Sequence, residues 1–244
     1  MLICVFIILS FALFSSYSTQ KIHFLDKRRL CDFLLSDSDN YYKTFTKQDR
    51  MVRKIDNNDD YHRLIEESVG EFTQTQKESI SKCVEIADRF FKGIETPWFH
   101  GYRASKIPWK FGCVVRNKYE EGLPHTRLDT IILPSSAINQ PDKALVSLLI
   151  HEKVHVYQKC YPGDIAKYSQ KYNLTIVGKR TTTDNIRANP DTNSDIYGMA
   201  NGDTVFAIEY NTNPTSISDT RGDGKQDHPN EKMAYEIAGM YNNQ

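Results

Sequence analysis

The run from Ala144 to Val156, ALVSLLIHEKVHV, constrains this chain more than any other stretch. Pro141 and Asp142 precede it and Pro162-Gly163 follow it, which brackets a helix of about five turns. Leu145, Val146, Leu148, Leu149, Ile150, Val154 and Val156 leave that helix apolar on nearly every side, so it has to lie inside the protein. The polar groups it carries inward, His151, Glu152, Lys153 and His155, then need partners there.

Imidazoles at i and i+4 stand one turn apart on one helix face and can grip one ion from the same side. His151 and His155 have that spacing. Glu152, one position round, sits beside such an ion and is placed to accept a proton from water. At this chain's His and Glu content the His-Glu-x-x-His pattern arises by chance only roughly 0.01 times. A buried helix that merely contains two histidines is the competing reading, and it implies no stoichiometric metal.

The 244 residues suffice for one large domain or two small ones, with a sizeable core. Formal net charge is zero and no long run of one sign occurs, so nothing recommends a nucleic acid as partner. Leu2 to Phe14 is apolar sequence broken only by Ser10, shorter than the roughly 20 residues of a bilayer span. Residues 1–18 are therefore expected to be a signal peptide or an N-terminal membrane anchor, giving a secreted or anchored protein that faces the lumen or exterior. Lys21, Lys27, Arg28 and Arg29 follow the apolar run, and the positive-inside rule leaves a body on the cytoplasmic face as the alternative. Cys31, Cys83, Cys113 and Cys160 permit two disulfides in three connectivities, or four unpaired thiols; no CxxC spacing exists. Asn173 opens an NLT sequon, relevant only in the secretory pathway.

Along residues 19–105 the periodicity predicts helices over KIHFLDKRRLCDFLL, DYHRLIEESVGEF and TQTQKESISKCVEIADRFFKGI, the last opened by Thr73 with Gln76 three residues on. Its stripe Ile80, Val84, Ala87, Phe91 reads as core. Residues 106–244 begin with two strands, KFGCVV and LDTIILP. Beyond the HEKVH helix the chain reads mostly as loop, with one strand, TVFAIEY, and a last helix, PNEKMAYEIAGMYNN. The expected fold class is α+β.

HEKVH followed by NEKMAYEIA resembles zinc metallopeptidases of the zincin fold, in the gluzincin group, whose third ligand is a glutamate on a later helix. That glutamate often opens a Glu-x-x-Ala-x-x-x-Ala pattern, matched by Glu231, Ala234 and Ala238. The resemblance spans roughly residues 110–240, and the interval from His155 to Glu231 is long for the group. Lys153 stands where such enzymes carry an uncharged residue; facing away from the histidines, it is expected to snorkel to solvent. The resemblance implies a zincin-like architecture and one zinc ion per chain on His151, His155 and Glu231. It further implies Glu152 as general base, hydrolysis of a polypeptide or peptide substrate, and PHTRLDTIILP as the substrate-holding edge strand. A zinc-binding pseudoenzyme with a surface or structural role is the alternative.

Glu236 competes with Glu231 for the third position; five residues put the two about 140° apart on the helix, so one site cannot take both. Glu231 borders the small Ala234 and Ala238 side, which favours it. Further residues expected to meet substrate are His125, Thr126 and Arg127 of the strand, with His228 and Tyr235 flanking the ligand helix. Arg187, Asn189 and Asp191 in RANPD read as a turn held by its own side chains.

Overall fold

The computed structural model describes residues 22–199, 201, 205–221 and 228–244, in a mixed α+β fold with small sheets. The expected leader over residues 1–18 lies outside the described residues. Among those described, no helix is long and apolar enough to cross a membrane.

The chain enters on β1 (Ile22–Phe24), followed by α1 (Lys27–Ser36), α2 (Lys47–Arg53) and α3 (Asn58–Ser68). The helix expected from Lys21 onward therefore starts later. Ile22 to Phe24 pair with the sheet, and the Asp26 carboxylate accepts the Arg29 N–H at 2.8 Å to open α1. After β2 (Val69–Gly70) comes α4 (Gln74–Lys92), whose start is the expected capping box. Thr73 Oγ1 accepts the Gln76 N–H at 3.2 Å, and Gln76 Oε1 accepts the Thr73 N–H at 2.9 Å. The Ile80, Val84, Ala87, Phe91 stripe is buried.

A small ribbon, β3 (Glu95–Thr96) and β4 (Phe99–His100), and the short α5 (Gly101–Ala104) lead into β5 (Trp109–Val114), β6 (His125–Arg127) and β7 (Thr130–Pro134). The main sheet runs β1-β5-β7-β6, with β2 also against β5. Strand β5 is parallel to β1 and β7, whereas β6 folds back antiparallel on β7. LDTIILP is thus not an edge. Leu128 takes a left-handed φ of 51° and turns the chain, making Thr130–Pro134 a central strand buried along its length. The edge on that side of the sheet is His125–Arg127.

Helix α6 (Asp142–Cys160) spans the expected bracket. From Leu149 to Gln158 every residue except His151 is buried, as an all-round apolar helix requires. It packs on α4 and, most extensively, on α8 (Pro229–Asn242). One core cluster joins α4, β5, β7, α6 and α8, drawing residues from both sides of the 105/106 boundary. Lys153 does not snorkel. It is fully buried, its Nζ donates to Ile107 O (2.7 Å) and Pro108 O (2.9 Å), and it lies 4.4 Å from the Trp109 ring centroid.

Pro162 does not end the helical region but starts α7 (Pro162–Lys171) at a position where its missing N–H costs nothing. The stretch expected to be mostly loop holds β8 (Leu174–Lys179) and β9 (Asp195–Met199), which with β10 (Val205–Phe206) make a sheet ordered β10-β9-β8. Ile176 and Val177 of β8 face solvent, so burial leaves no pattern there to read. TVFAIEY is not one strand: Val205–Phe206 joins β9, and β11 (Glu209–Tyr210) pairs separately with β12 (Thr220–Arg221). The two-disulfide reading also fails. Cys31, Cys83, Cys113 and Cys160 are free, and Cys83 and Cys113 pack in the core as small apolar residues.

A buried ionic hub ties the N-terminal helices to the rest. Arg53 donates Nε to Glu120 Oε1 at 2.9 Å and Nη2 to Glu120 Oε2 at 2.6 Å. Asp49, fully buried, accepts from the Thr46, Ala188 and Tyr210 donors, each at 2.9 Å. Burial pushes the Glu120 carboxyl up, but Arg53 outweighs it and holds it below its ordinary value. The Glu120 contribution to stability is therefore complete above the ordinary carboxylate range and is lost as pH falls through the depressed value. Replacing Glu120 with Gln leaves the buried Arg53 short of a counter-charge and should cost about 3–5 kcal/mol. Denaturant unfolding at pH 7 checks the loss, and the gap between variant and wild type should narrow under acid conditions.

Candidate metal centre

Three side chains from two helices converge on one point. His151 and His155, one turn apart on α6, bring their Nε2 atoms within 3.1 Å of each other. Glu231, in the first turn of α8, places Oε2 at 3.4 Å from His151 Nε2 and 3.6 Å from His155 Nε2. A tetrahedral ion held at ordinary zinc–ligand lengths separates its donor atoms by about 3.3 Å, so the triangle has the right size for one such ion. The small Ala234 and Ala238 are buried on the same helix and allow its close approach to α6. Glu236 is elsewhere, accepting from Tyr168 and Tyr172 hydroxyls at 2.8 Å each.

The tautomer of His155 is set through a chain of two contacts. Gln158 Nε2 donates to Asn230 O at 2.9 Å, which turns Gln158 Oε1 towards His155 Nδ1 at 3.0 Å. In the neutral ring Nδ1 then carries the proton and Nε2 presents its lone pair to the triangle. Burial would lower the His155 pKa, but the Asp191 and Glu231 carboxylates outweigh it and lift the ring to about 9. Burial likewise opposes ionisation of Glu231, yet His155 and His151 hold it well below its ordinary value. The field at the triangle favours positive charge.

Glu152 points beside the triangle and is buried. Burial, then the neighbouring Asp191 carboxylate, push its carboxyl up to about 8, while the Thr126 hydroxyl donates to its Oε2 at 2.9 Å. A cleft of about 360 Å³ opens onto His151, Glu152 and Glu231 and is bordered by Tyr235, His125, Leu123 and Arg187. Tyr235 is 43% exposed, and its ring packs edge-on against His151 with centroids 4.6 Å apart.

The expected substrate contacts divide. Strand alternation turns Thr126 to the α6 side and His125 and Arg127 to the other. His125 borders the cleft but packs at a tilt against Tyr119 with its Nδ1 on Leu123 O at 2.9 Å. Arg127 does not reach the cleft; it is buried on Asp37 (3.1 Å), Asp39 and Tyr119 (2.6 Å). His228 is the N-cap of α8, with Nδ1 accepting the Asn230 N–H at 3.1 Å and Nε2 on Asn193 Oδ1 at 3.2 Å. Both ring nitrogens are thereby engaged, and burial lowers the His228 pKa to about 4. The edge strand itself is closed at Thr126, whose N–H goes to Asp191 (2.6 Å) and whose C=O goes to Lys159 (2.8 Å).

Two groups of contributors were not identified from sequence. Gln158 was detectable in principle, since it lies at i+3 from His155 on one face. The RANPD turn does hold itself, through Asp191 N–H on Asn189 Oδ1, but it also reaches Glu231 and Thr126. No spacing rule announces such contacts.

Comparison with family models, curated proteins and solved structures returns no match to this chain. Wild-type protein should bind one divalent transition-metal ion per chain, and His151→Ala, His155→Ala and Glu231→Gln should each lose it. Glu236→Gln should keep it, as measured by elemental analysis after dialysis against trace metal.

Proposed function

We propose that the protein is a zinc-dependent metallopeptidase of zincin-like architecture, with His151, His155 and Glu231 as the zinc ligands. The observation that carries the reading is the meeting of three donors at tetrahedral spacing with a buried carboxylate, Glu152, at their side. Two imidazoles and a carboxylate suit zinc and leave a fourth position open towards the cleft. When bound, the ion supplies Lewis-acid polarisation and acidifies a water towards neutral pKa.

Glu152 is the group that would accept a proton from an attacking water and return it to the leaving amine. Its raised pKa suits both halves of the exchange, and the Thr126 hydroxyl holds the carboxylate in one orientation. Tyr235, exposed beside His151, is the side chain placed to donate to the oxygen that develops charge. An extended substrate finds no free backbone donor at Thr126, so side chains lining the cleft rather than strand addition must hold it.

Glu152→Gln preserves size and removes the base. It should retain zinc while peptide hydrolysis, followed by mass spectrometry of a peptide-library digest, falls about 10²–10⁴-fold. Undiminished cleavage would refute the role of Glu152, and zinc binding with no cleavage by the wild type would favour the pseudoenzyme.

A further inference from the structure

Asn189 stands in a turn that the proposed reaction does not use, yet its side chain is fixed at both ends. Its Oδ1 accepts the Asp191 N–H at 2.9 Å, so the amide nitrogen is the atom that faces Glu231. Nδ2 donates to Glu231 Oε1 at 2.8 Å. The other oxygen, Oε2, is the one that approaches His151 and His155 at 3.4 and 3.6 Å. The turn is anchored in turn from outside the site, because the adjacent Ala188 N–H donates to the fully buried Asp49 at 2.9 Å.

A carboxylate with both oxygens available can chelate an ion with both, as larger oxygen-seeking cations favour. A carboxylate with one oxygen held by a fixed amide presents only the other. Four-coordinate binding by nitrogen and oxygen donors needs the second arrangement.

We infer that Asn189 is a positioning residue that makes Glu231 a one-oxygen ligand, and so tunes the centre to a small tetrahedral ion. The inference rests on the reading of His151, His155 and Glu231 as a metal centre. Gln158 performs the matching task for His155 through a different element, so the Asn189 effect is separable from it.

The test uses the full chain as wild type, Asn189→Ala and Asn189→Asp. Alanine frees Glu231 Oε1. Aspartate is nearly isosteric and keeps the acceptor for the Asp191 N–H, so the turn survives while the donor is lost. Zinc affinity is read by chelator competition, and coordination by the visible spectrum of the protein loaded with Co²⁺. Both variants should bind zinc about 10- to 100-fold more weakly. Asn189→Ala should also show the weaker visible bands of a cobalt ion with more than four ligands. Zinc affinity within twofold of wild type or tighter in both variants would overturn the inference, as would weakened binding with an unchanged cobalt spectrum in Asn189→Ala. If Asn189→Ala does not fold, the affinity of Asn189→Asp decides. A wild type that binds neither ion removes the metal reading itself, an outcome distinct from a metal-binding wild type with insensitive variants.

Discussion

A helix without a polar face can be stable only inside the protein, and everything polar on it must be answered there. That condition organises the whole molecule around α6. Lys153 is met by two carbonyls and an indole face, and Glu152 by a threonine hydroxyl. His155 is met by Gln158, and the two imidazoles together by Glu231. Apart from Gln158, which lies on α6 itself, each partner comes from a different part of the chain, so α6 dictates where the β5 entrance, β6 and α8 must lie. The chemistry proposed for the centre uses groups that would otherwise be a liability in the core.

Much of this was legible beforehand because helical periodicity is a local signal. The bracket around α6, the capping box at Thr73, the buried stripe of α4 and the position of Glu231, rather than Glu236, beside the two histidines follow from spacing and side-chain size along single elements. Failures occurred where a contact in space decides. The turn at Leu128 converts an apparent edge strand into a hairpin with the edge on its other arm. Arg127 and His228 carry chemistry that fits a cleft, but one closes an ion-pair cluster and the other caps a helix. Asn189 sits in a turn whose composition explains its own hydrogen bonds and gives no hint of Glu231.

The N-terminal helices, which resemble nothing by sequence, acquire a physical role through the buried hub. Asp49 lies in α2, yet it holds the backbone of the turn that carries Asn189 and Asp191. Arg53, four residues after Asp49 on the same helix, binds Glu120 on the approach to β6. The two walls of the cleft are thus braced by one short helix from the other end of the chain.

The closure of β6 bears on colloidal behaviour. An open sheet edge is a template on which a second chain can add a strand, and proteins commonly blunt such edges with charge or cover. Here Asp191 and Lys159 occupy the outward N–H and C=O of Thr126, so the main sheet offers no pairing there. The smaller sheet is different, because its outer strand β8 carries Ile176 and Val177 about half exposed, at 56% and 55%. The smaller sheet therefore leaves a more open template for an added strand than β6 does, and it is a sheet separate from the one that borders the candidate centre.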